Sequence, residues 1–328
     1  MNTHRAKQTR AILLGMATSM MLAASAWADT IRLAQNASPI SGVTMVAKAN
    51  GYFDEQGLDV EVLGFTSGRA ALEAVIGGGA HIATTAEAPT TASAMSDTPI
   101  AFLARTQYSD LKTLTATDSG INSIEDLAGK RIGYTAGTGG EVYSIKLLEA
   151  AGLTREDVTM INLRPQEMAP AMSSGSIDAF NTWEPHVANA QSALGDSVSL
   201  IDTRGIYAET FNIITMQSYM NDSPEVLERF MTALLEAEAY ILDNPQSAIA
   251  IIAEAASMPE EDLAATWDDY VYQVVLDQRT LDVLNAHAQW RIDSGNHAGP
   301  AELPDWSAYI FPQTLEAIAP DRVQISLD

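Results

Sequence analysis

The stretch LDVEVLGFTSGRAALEAVIGGGAHIATTAEAP, residues 58–89, has the pattern of one complete strand–helix–strand unit. Alternating apolar residues at its start predict a strand, and Leu72, Val75 and Ile76 then recur at helical spacing. Glycines follow this helix, as they commonly do at helix C-termini, and a second short apolar run ends before Glu87. Such a unit builds parallel sheets, so the stretch predicts an α/β fold.

The same order of features returns in EDVTMINLRPQEMAPAMSSGSIDAFNTWEP, residues 156–185. A strand pattern again leads into a helical run, which ends at Gly175, and a short apolar strand follows. In both segments a glutamate comes near the end, so that Glu184 occupies nearly the same place as Glu87. Two units of like design predict two α/β domains that face each other.

The residues after the second strand of each unit are candidates for a binding site. In open parallel sheets, ligands bind at the carboxyl ends of strands, and Pro89 and Pro185 end the two strand ladders at this point. Glu87, Trp183 and Glu184 would then face one crevice from opposite sides. The alternative is that Trp183 belongs to a core and Glu184 caps a helix; the repeated pattern favours the crevice.

The first 28 residues have the pattern of a cleaved signal peptide. MNTHRAKQTR is basic, and the apolar run AILLGMATSMMLAAS is too short and too rich in small residues for a membrane span. Ala26 and Ala28 are small residues at the two positions that a signal peptidase reads, which predicts cleavage before Asp29. A membrane anchor is the alternative, but no charged stop-transfer flank follows. We therefore expect an exported protein, most simply in a bacterial periplasm.

Composition narrows the possible partners. The chain of 328 residues is 47% hydrophobic, which suffices for two domains with cores of their own. Its formal net charge is −24, and the first 28 residues hold three basic residues and no acid, so their removal lowers the net charge to −27. This charge argues against nucleic acid and anionic membranes as partners. The absence of cysteine excludes disulfides, zinc–thiolate sites and thiol nucleophiles.

A glycine-rich loop, residues 135–140, precedes a predicted helix. The free N–H groups at such a helix start attract anions. The loop lacks the Lys-Ser/Thr of a P-loop and the full spacing of a dinucleotide site. A simple tight turn is equally compatible with this motif.

No motif predicts catalysis. The histidines after residue 28 are His81, His186, His287 and His297, and none forms a zinc-binding pair such as HExxH; a GxSxG elbow is also absent. The carboxylates of Glu87 and Glu184 would lie on separate domains. The sequence therefore favours a receptor without a metal or cofactor over an enzyme.

The chain resembles the periplasmic solute-binding proteins of ABC importers for nitrate, sulfonates and taurine. The resemblance rests on the signal peptide and on SGRAALEAVIGGGAHIATTAEAP, IEDLAGKRIGY, INLRPQEMAPAMSSGSIDAFNTWEP and PDWSAYIF, and it covers essentially the whole chain after residue 28. It implies a type II two-lobed periplasmic binding protein fold, an α/β fold with two parallel or mixed sheets, flanking helices and a ligand cleft between the lobes.

The resemblance also implies how the chain divides. The first lobe would comprise residues 29–117 and 211–328, of which the second part is mainly helical, and the second lobe residues 118–210. Crossings between the lobes would lie near Ala116 to Gly120 and near Glu209 to Ile213. A monomer would close around its small-molecule ligand by hinge motion and then dock on the membrane permease.

By position, the ligand contacts of the family fall on both lobes. They are Gln35, Asn36, Ser38, Ser67, Gly68, Thr85, Ala86 and Glu87 in the first lobe; Thr138, Gly139, Gly140, Glu141, Arg164, Trp183 and Glu184 in the second; and Asn212 at the return crossing. The resemblance implies that helix starts hold an oxyanion and that Trp183 covers an alkyl or cationic part. Glu184 or Glu87 would take an ammonium group.

These contacts suggest taurine or a related short aliphatic sulfonate as the ligand. The taurine branch has a small apolar residue where Glu184 stands here and small residues near the position of Glu87, while the sulfonate branch more often keeps an acid at the Glu87 position. Two extra acids would repel a plain anion such as nitrate. A nitrogenous heterocycle, such as a thiamin or riboflavin precursor, is therefore the alternative ligand. An enzyme on the same fold is the rival from another class, although the thiamin-pyrimidine synthases that share the fold carry a cysteine cluster, which this chain lacks.

We predict that the exported protein begins at Asp29, because the peptidase pattern ends at Ala28. Mass spectrometry of periplasmic material measures the mature N-terminus directly. A chain that still begins at Met1 would mean that the leader is an anchor.

Overall fold

A computed structural model describes residues 29–327, so the predicted signal peptide, residues 1–28, lies outside the described residues. Within residues 29–327 the chain forms two mixed β-sheets with helices packed against them. The prediction of an α/β fold with two sheets and flanking helices is confirmed.

The chain forms the first four strands in one sheet and the next five in a second sheet, and then returns to the first sheet for the last three. They are β1 (Asp29–Asn36), β2 (Leu58–Phe65), β3 (Ile82–Ala86), β4 (Ile100–Asp110), β5 (Lys112–Ala116), β6 (Arg131–Tyr134), β7 (Thr159–Asn162), β8 (Ala179–Thr182), β9 (Val198–Ile201), β10 (Ala208–Met216), β11 (Val271–Asp277) and β12 (Val323–Gln324). The first sheet has the order β12-β11-β4-β10-β3-β1-β2, and the second has the order β7-β6-β8-β5-β9.

The helices connect the strands and then dominate the last third of the chain. They are α1 (Gly42–Ala49), α2 (Tyr52–Glu55), α3 (Gly68–Ile76), α4 (Glu87–Ala94), α5 (Gly139–Ala150), α6 (Pro165–Ser173), α7 (His186–Leu194), α8 (Gln217–Asp222), α9 (Pro224–Asp243), α10 (Pro245–Ala255), α11 (Glu260–Ala265), α12 (Gln278–Asp293) and α13 (Gln313–Glu316). Among the described residues, no helix is both long enough and apolar enough to cross a membrane.

The two repeated sequence units form the same arrangement in the two sheets. β2 and β3 both run parallel to β1, which lies between them, and α3 connects them. In the second sheet β7 and β8 both run parallel to β6, which lies between them, and α6 connects them. Each predicted strand–helix–strand unit is therefore present, and each brings its last strand next to a shared central strand.

The chain changes sheets at Leu111 and again between residues 202 and 207. β4 ends at Asp110 in the first sheet, and β5 begins at Lys112 in the second; β9 ends at Ile201, and β10 belongs to the first sheet again. The first change comes before the crossing expected near Ala116 to Gly120, because only one residue separates β4 from β5. No glycine, proline or polar linker marks this point in the sequence.

Each sheet is packed on an apolar core. In the first, α9 lies across α1 and α2, and Phe230 of α9 stacks on Phe53 with ring centroids 5.0 Å apart. In the second, Leu147, Ile132 and Phe180 are fully buried. The two sheets with their separate cores meet where their strand ends face each other.

Candidate functional site

The carboxyl ends of strands from both sheets meet between the two sheets. β1 leads into Ser38, whose hydroxyl donates a hydrogen bond to the carbonyl oxygen of Glu184, two residues after β8. At the start of α3, the Nη1 atom of Arg69 donates to the carbonyl oxygen of Ala136, which precedes α5, at 3.0 Å. These contacts hold the loop after β1 against the loop after β8, and the start of α3 against the loop after β6.

Buried polar atoms without a protein partner collect around this meeting point. They belong to strands or strand ends in both sheets: Thr85 Oγ1, Gln107 Nε2 and Oε1, Thr182 Oγ1, Trp183 Nε1, Glu209 Oε2 and Asn212 Oδ1. Asn212 on β10 lies opposite Thr85 on β3, and Phe211 next to it lies opposite Gln107 on β4. Because buried polar groups in proteins are nearly always paired, such a group of unpaired atoms indicates a place where a solute binds.

Glu87, the first residue of α4, is completely buried beside this group. Its carboxylate accepts hydrogen bonds from the hydroxyl of Tyr207, from the backbone N–H of Thr210 at 2.7 Å and from the Thr210 hydroxyl at 3.0 Å. Burial raises the pKa of Glu87 to about 7, although hydrogen bonds from its own backbone N–H and from Thr210 oppose this rise. The carboxylate of Glu87 is thus fully supplied with donors from the protein.

Glu209 on β10 is the second carboxyl group of the site, and the sequence did not single it out as a ligand contact. Its side chain is buried, and its Oε2 atom has no partner. Burial, and next the charge of Glu87, raise the pKa of Glu209 well above its ordinary value. The two carboxyl groups therefore hold a proton more tightly than isolated glutamates do.

The first two residues of α5 bring the second lobe onto these groups. A Cβ atom on Gly139 would collide with Glu209 Oε1 and lie 3.0 Å from its Cδ atom. A Cβ atom on Gly140 would lie 3.6 Å from Cζ3 of Trp183. The glycines let the N-terminus of α5 approach the carboxyl group from one side and the indole from the other.

Trp183 is both a core residue and a residue of the site, which the sequence offered as alternatives. Its side chain is only 5% exposed and packs in the apolar cluster of the second sheet, edge-on to His186 with ring centroids 5.8 Å apart. The indole Nε1 atom, however, has no hydrogen-bond partner. The ring belongs to the core, while its N–H group remains available to a solute.

Glu184 is held by the protein itself. Its carboxylate accepts a hydrogen bond from the backbone N–H of Ala188 in the first turn of α7 at 3.0 Å, as the helix-capping alternative predicted. Lys112 lies 3.4 Å from the same carboxylate and 2.9 Å from Asp269, which belongs to the segment before β11. Burial raises the pKa of Glu184, and Lys112 opposes this rise.

Little free space remains at the centre of this arrangement. The cavity lined by Ile40, Lys112, Trp183, Glu184 and Tyr270 has a volume of about 10 Å³, close to the minimum that a single water molecule needs. This cavity beside Trp183 and Glu184 is too small for a solute larger than water.

The predicted contacts in the first loop are buried. Gln35 accepts a hydrogen bond from the hydroxyl of Thr44 at 2.6 Å, and the backbone N–H of Asn36 donates to Thr84 Oγ1 at 3.0 Å. Of the three residues named in this loop, Ser38 is the one with a bond to the second lobe.

The contacts predicted at the helix starts have structural roles at this site. Ser67 and Thr138 each accept a hydrogen bond from the first turn of the helix that follows. A Cβ atom on Gly68 would lie 2.9 Å from the Cα atom of Thr85 and 3.1 Å from the nitrogen of Ala86. Glycine at this position lets α3 approach the end of β3.

Two predicted contacts point elsewhere. Glu141 accepts a hydrogen bond from the backbone N–H of Gly137 at 2.8 Å and forms an ion pair with Arg155 at 3.5 Å. The side chain of Arg164 is 73% exposed and pairs with Glu167. The structure does not bring Arg164 to the group of unpaired polar atoms.

Several residues of the site carry no motif in the sequence. They are Gln107, Lys112, Thr182, Tyr207, Glu209 and Thr210. The segment YAETFNIITM places one acid in an otherwise apolar or neutral strand, and this was the available signal for Glu209.

The comparison with family models identifies the class of protein. The family model described as NMT1/THI5 like matches residues 39–248, which is more than half of the chain. The chain therefore belongs to the NMT1/THI5-like family.

Curated relatives are binding proteins. A binding protein of Brucella abortus (strain 2308) is 25% identical over 226 residues, which is 68% of this chain and 70% of the relative. The taurine-binding periplasmic protein of Escherichia coli (strain K12) is 25% identical over 81% of this chain and 87% of its own. The formylaminopyrimidine-binding protein of Halalkalibacterium halodurans is 25% identical over 63% of this chain and 64% of its own.

Solved structures share the fold. The alkanesulfonate-binding protein SsuA from Xanthomonas axonopodis pv. citri, bound to MOPS, has a TM-score of 0.74 at 17% identity, covering 86% of this chain and 98% of that chain. The desulfurization enzyme DSZB has a TM-score of 0.65 at 17% identity, covering 88% of this chain and 98% of its own. The resemblance to solute-binding proteins and their two-lobed fold is thus confirmed, while the fold also occurs in an enzyme.

We predict that Lys112→Met destabilises the protein by on the order of 3 kcal/mol at pH 8 and by much less at pH 5. The pKa of Glu184 is already raised by burial, and loss of the Lys112 ammonium raises it further. Because a raised carboxyl pKa stabilises the folded protein only at low pH, the variant loses stability as the pH rises. Urea unfolding at the two pH values measures the difference.

Lys48→Met is the matched control, because Lys48 is exposed on α1 and loses the same charge. Its free energy of unfolding should stay within about 0.5 kcal/mol of the wild type at both pH values. Equal destabilisation of the Lys112 variant at pH 5 and pH 8 would contradict the role of the ion pair.

Proposed function

We propose that this protein is the extracytoplasmic solute-binding component of an ABC importer. It captures a small organic solute between its two lobes in the periplasm and delivers it to a membrane permease. The observation that supports this function is the group of buried, unpaired polar atoms where strand ends of both sheets meet. The binding proteins among its relatives support the same function.

Binding would proceed by opening and closing about the two crossings. β4 passes into β5 at Leu111, and residues 202–207 lead from β9 back to β10. Since the cavity near Trp183 holds only about 10 Å³, the lobes must separate for a solute to enter. One chain contributes both sides of the site, so we expect the receptor to work as a monomer.

Taurine or a related short aliphatic sulfonate is the first candidate solute. The support on the side of the second lobe is the N-terminus of α5 at Gly139 and Gly140 and the unpaired indole N–H of Trp183. Helix N-termini and N–H donors suit a sulfonate oxygen. The taurine-binding relative supports the same ligand.

A nitrogenous heterocycle is the second candidate solute. The unpaired carboxyl oxygen of Glu209 and the unpaired amide oxygen of Asn212 are acceptors, which suit ring N–H and amino groups better than an anion. The formylaminopyrimidine-binding relative supports this class.

An enzyme of the same fold is the rival hypothesis. Incubation of a bound solute with the protein, followed by mass spectrometry of the released material, separates the two activities. Recovery of the solute unchanged supports the receptor hypothesis. Detection of a new product would show instead that the protein is an enzyme.

We predict that a thermal-shift screen of taurine, alkanesulfonates, nitrate, aminopyrimidines and riboflavin precursors finds at least one stabilising solute. A ligand that binds only the folded protein raises the melting temperature by mass action, by about 2.7 kcal/mol of stability at a hundred times its Kd. Calorimetry then measures the affinity. Absence of binding by every compound in the panel would contradict the proposed function for these ligand classes.

We predict that Trp183→Phe weakens binding of the solute found in that screen about fivefold. Phenylalanine keeps an aromatic ring in the core but lacks the indole N–H, and one hydrogen bond contributes roughly 1 kcal/mol. Trp306→Phe is the matched control, because the indole N–H of Trp306 donates to Asn285 at 2.7 Å in the first lobe. Unchanged affinity in the Trp183 variant, measured by calorimetry, would remove the indole N–H from the site.

A further inference from the structure

We infer that the site selects solutes that present a cationic or N–H donor group, and that Glu209 is the residue that makes this selection. The inference rests on the proposed receptor function and names the ligand chemistry of the same site. Ethanesulfonate-like anions without an amino group would then be poor ligands.

The carboxyl groups of Glu87 and Glu209 differ in how many hydrogen-bond partners the protein gives them. Glu87 accepts hydrogen bonds from Tyr207 and from both donors of Thr210. Glu209 has the same degree of burial, yet its Oε2 atom has no partner. Glu209 is therefore the carboxyl group that a solute can satisfy.

A second unpaired acceptor lies next to this pair. The Nδ2 atom of Asn212 contacts Thr210 Oγ1 at 3.4 Å, and that hydroxyl donates to Glu87. The Oδ1 atom of Asn212 has no partner, and the residue is completely buried. Together with Glu209, Asn212 gives the first-lobe side of the site two unpaired oxygen atoms, which a solute with donors can pair.

No cation of the protein neutralises these acids. Among residues 29–327, none of the ion pairs involves Glu87 or Glu209. Lys112 is already paired with Glu184 and Asp269, and Arg105, which lies opposite Asn212 on β4, is paired with Asp277. A positive charge on the solute would fill this role, and a plain anion would meet the negative charge of whichever of the two carboxyl groups is ionised.

The neighbouring titratable groups do not take over this role. On α5, Glu141 pairs with Arg155, and Tyr143 lies beside Tyr207 with ring centroids 6.5 Å apart. Burial raises the pKa of Tyr143 to about 12, so it stays neutral. On the side of β8, Glu184 is held by Lys112 and the α7 backbone.

The charge state gives the selection a pH dependence. As the pH rises, Glu87 loses its proton before Glu209 does. Hydrogen-bond donors favour the ionised form of Glu87, while burial and the charge of Glu87 raise the pKa of Glu209. A cationic group on the solute favours loss of that proton. Binding of an amine consequently strengthens as the pH rises, whereas binding of an anion weakens.

The test uses two pairs of probes. Within each pair, one member carries an amino group where the other carries a methyl group. They are taurine with propane-1-sulfonate, and 4-amino-2-methylpyrimidine with 2,4-dimethylpyrimidine. Calorimetry at pH 6 and pH 8 gives the affinity of each probe for the wild type, Glu209→Gln and Glu149→Gln. Glu149 is exposed in the last turn of α5, so its variant loses the same charge away from the site.

The wild type and Glu149→Gln should bind the amino member of a pair about tenfold or more tightly than its methyl partner, because charge-assisted hydrogen bonds have that effect. Taurine, if it is the amine that binds, should bind more tightly at pH 8 than at pH 6. In Glu209→Gln the preference should fall below about threefold, with circular dichroism confirming the fold.

Two results would overturn the inference while leaving the receptor function intact. They are equal or tighter binding of a methyl member by the wild type, and an undiminished amino preference in a folded Glu209→Gln variant. Failure of the wild type to bind any of the four probes would count against the proposed ligand classes and against this inference together.

Discussion

The structure depends on one strand, β10, which runs antiparallel between β3 and β4 and pairs with both. It enters the first sheet directly after the chain returns from the second sheet, and both of its ladders lie within the first sheet. Its pairing with β4 skips Thr106, whose hydroxyl instead donates to the carbonyl oxygen of Phe211 at 3.1 Å. Such bulges re-aim neighbouring side chains, and here the irregularity lies beside Gln107. This strand carries Glu209, Thr210 and Asn212 close together, so the strand on which the chain returns to the first sheet also positions the acidic half of the site.

This dependence explains what the sequence could and could not predict. The strand–helix–strand units around α3 and α6 follow from local periodicity, and their strand ends placed Glu87, Trp183 and Glu184 near the site. The role of Glu209 follows from pairing between β10 and strands more than a hundred residues earlier, which leaves no local pattern. β11 was missed for the same reason, since it completes the first sheet from within a mainly helical segment. The change of sheet at Leu111 was misplaced by a few residues because β4 continues almost without interruption into β5.

The two glutamates that occupy matching places in the repeat have different surroundings. Glu184 is compensated by Lys112 and by the start of α7, whereas Glu87 is surrounded by neutral donors from Tyr207 and Thr210. The internal repeat therefore predicted where the two glutamates lie, but not which charged or neutral groups surround them. The unpaired oxygens of Glu209 and Asn212 lie on the first lobe together with the unpaired side-chain amide of Gln107, and the unpaired indole N–H of Trp183 lies on the second.

Closure and selection use different sets of atoms. Ser38 with Glu184, Arg69 with Ala136 and Lys112 with Asp269 form bonds between the lobes from groups that the protein supplies itself. These contacts favour the closed arrangement whichever solute is present. The unpaired atoms at the centre act differently, because in the receptor proposed here a solute pairs with them only when the lobes are closed around it. A solute shifts the equilibrium only through its different interaction with the two arrangements. The carboxyl group of Glu209, which lies against the first residue of α5, therefore links the choice of solute to closure.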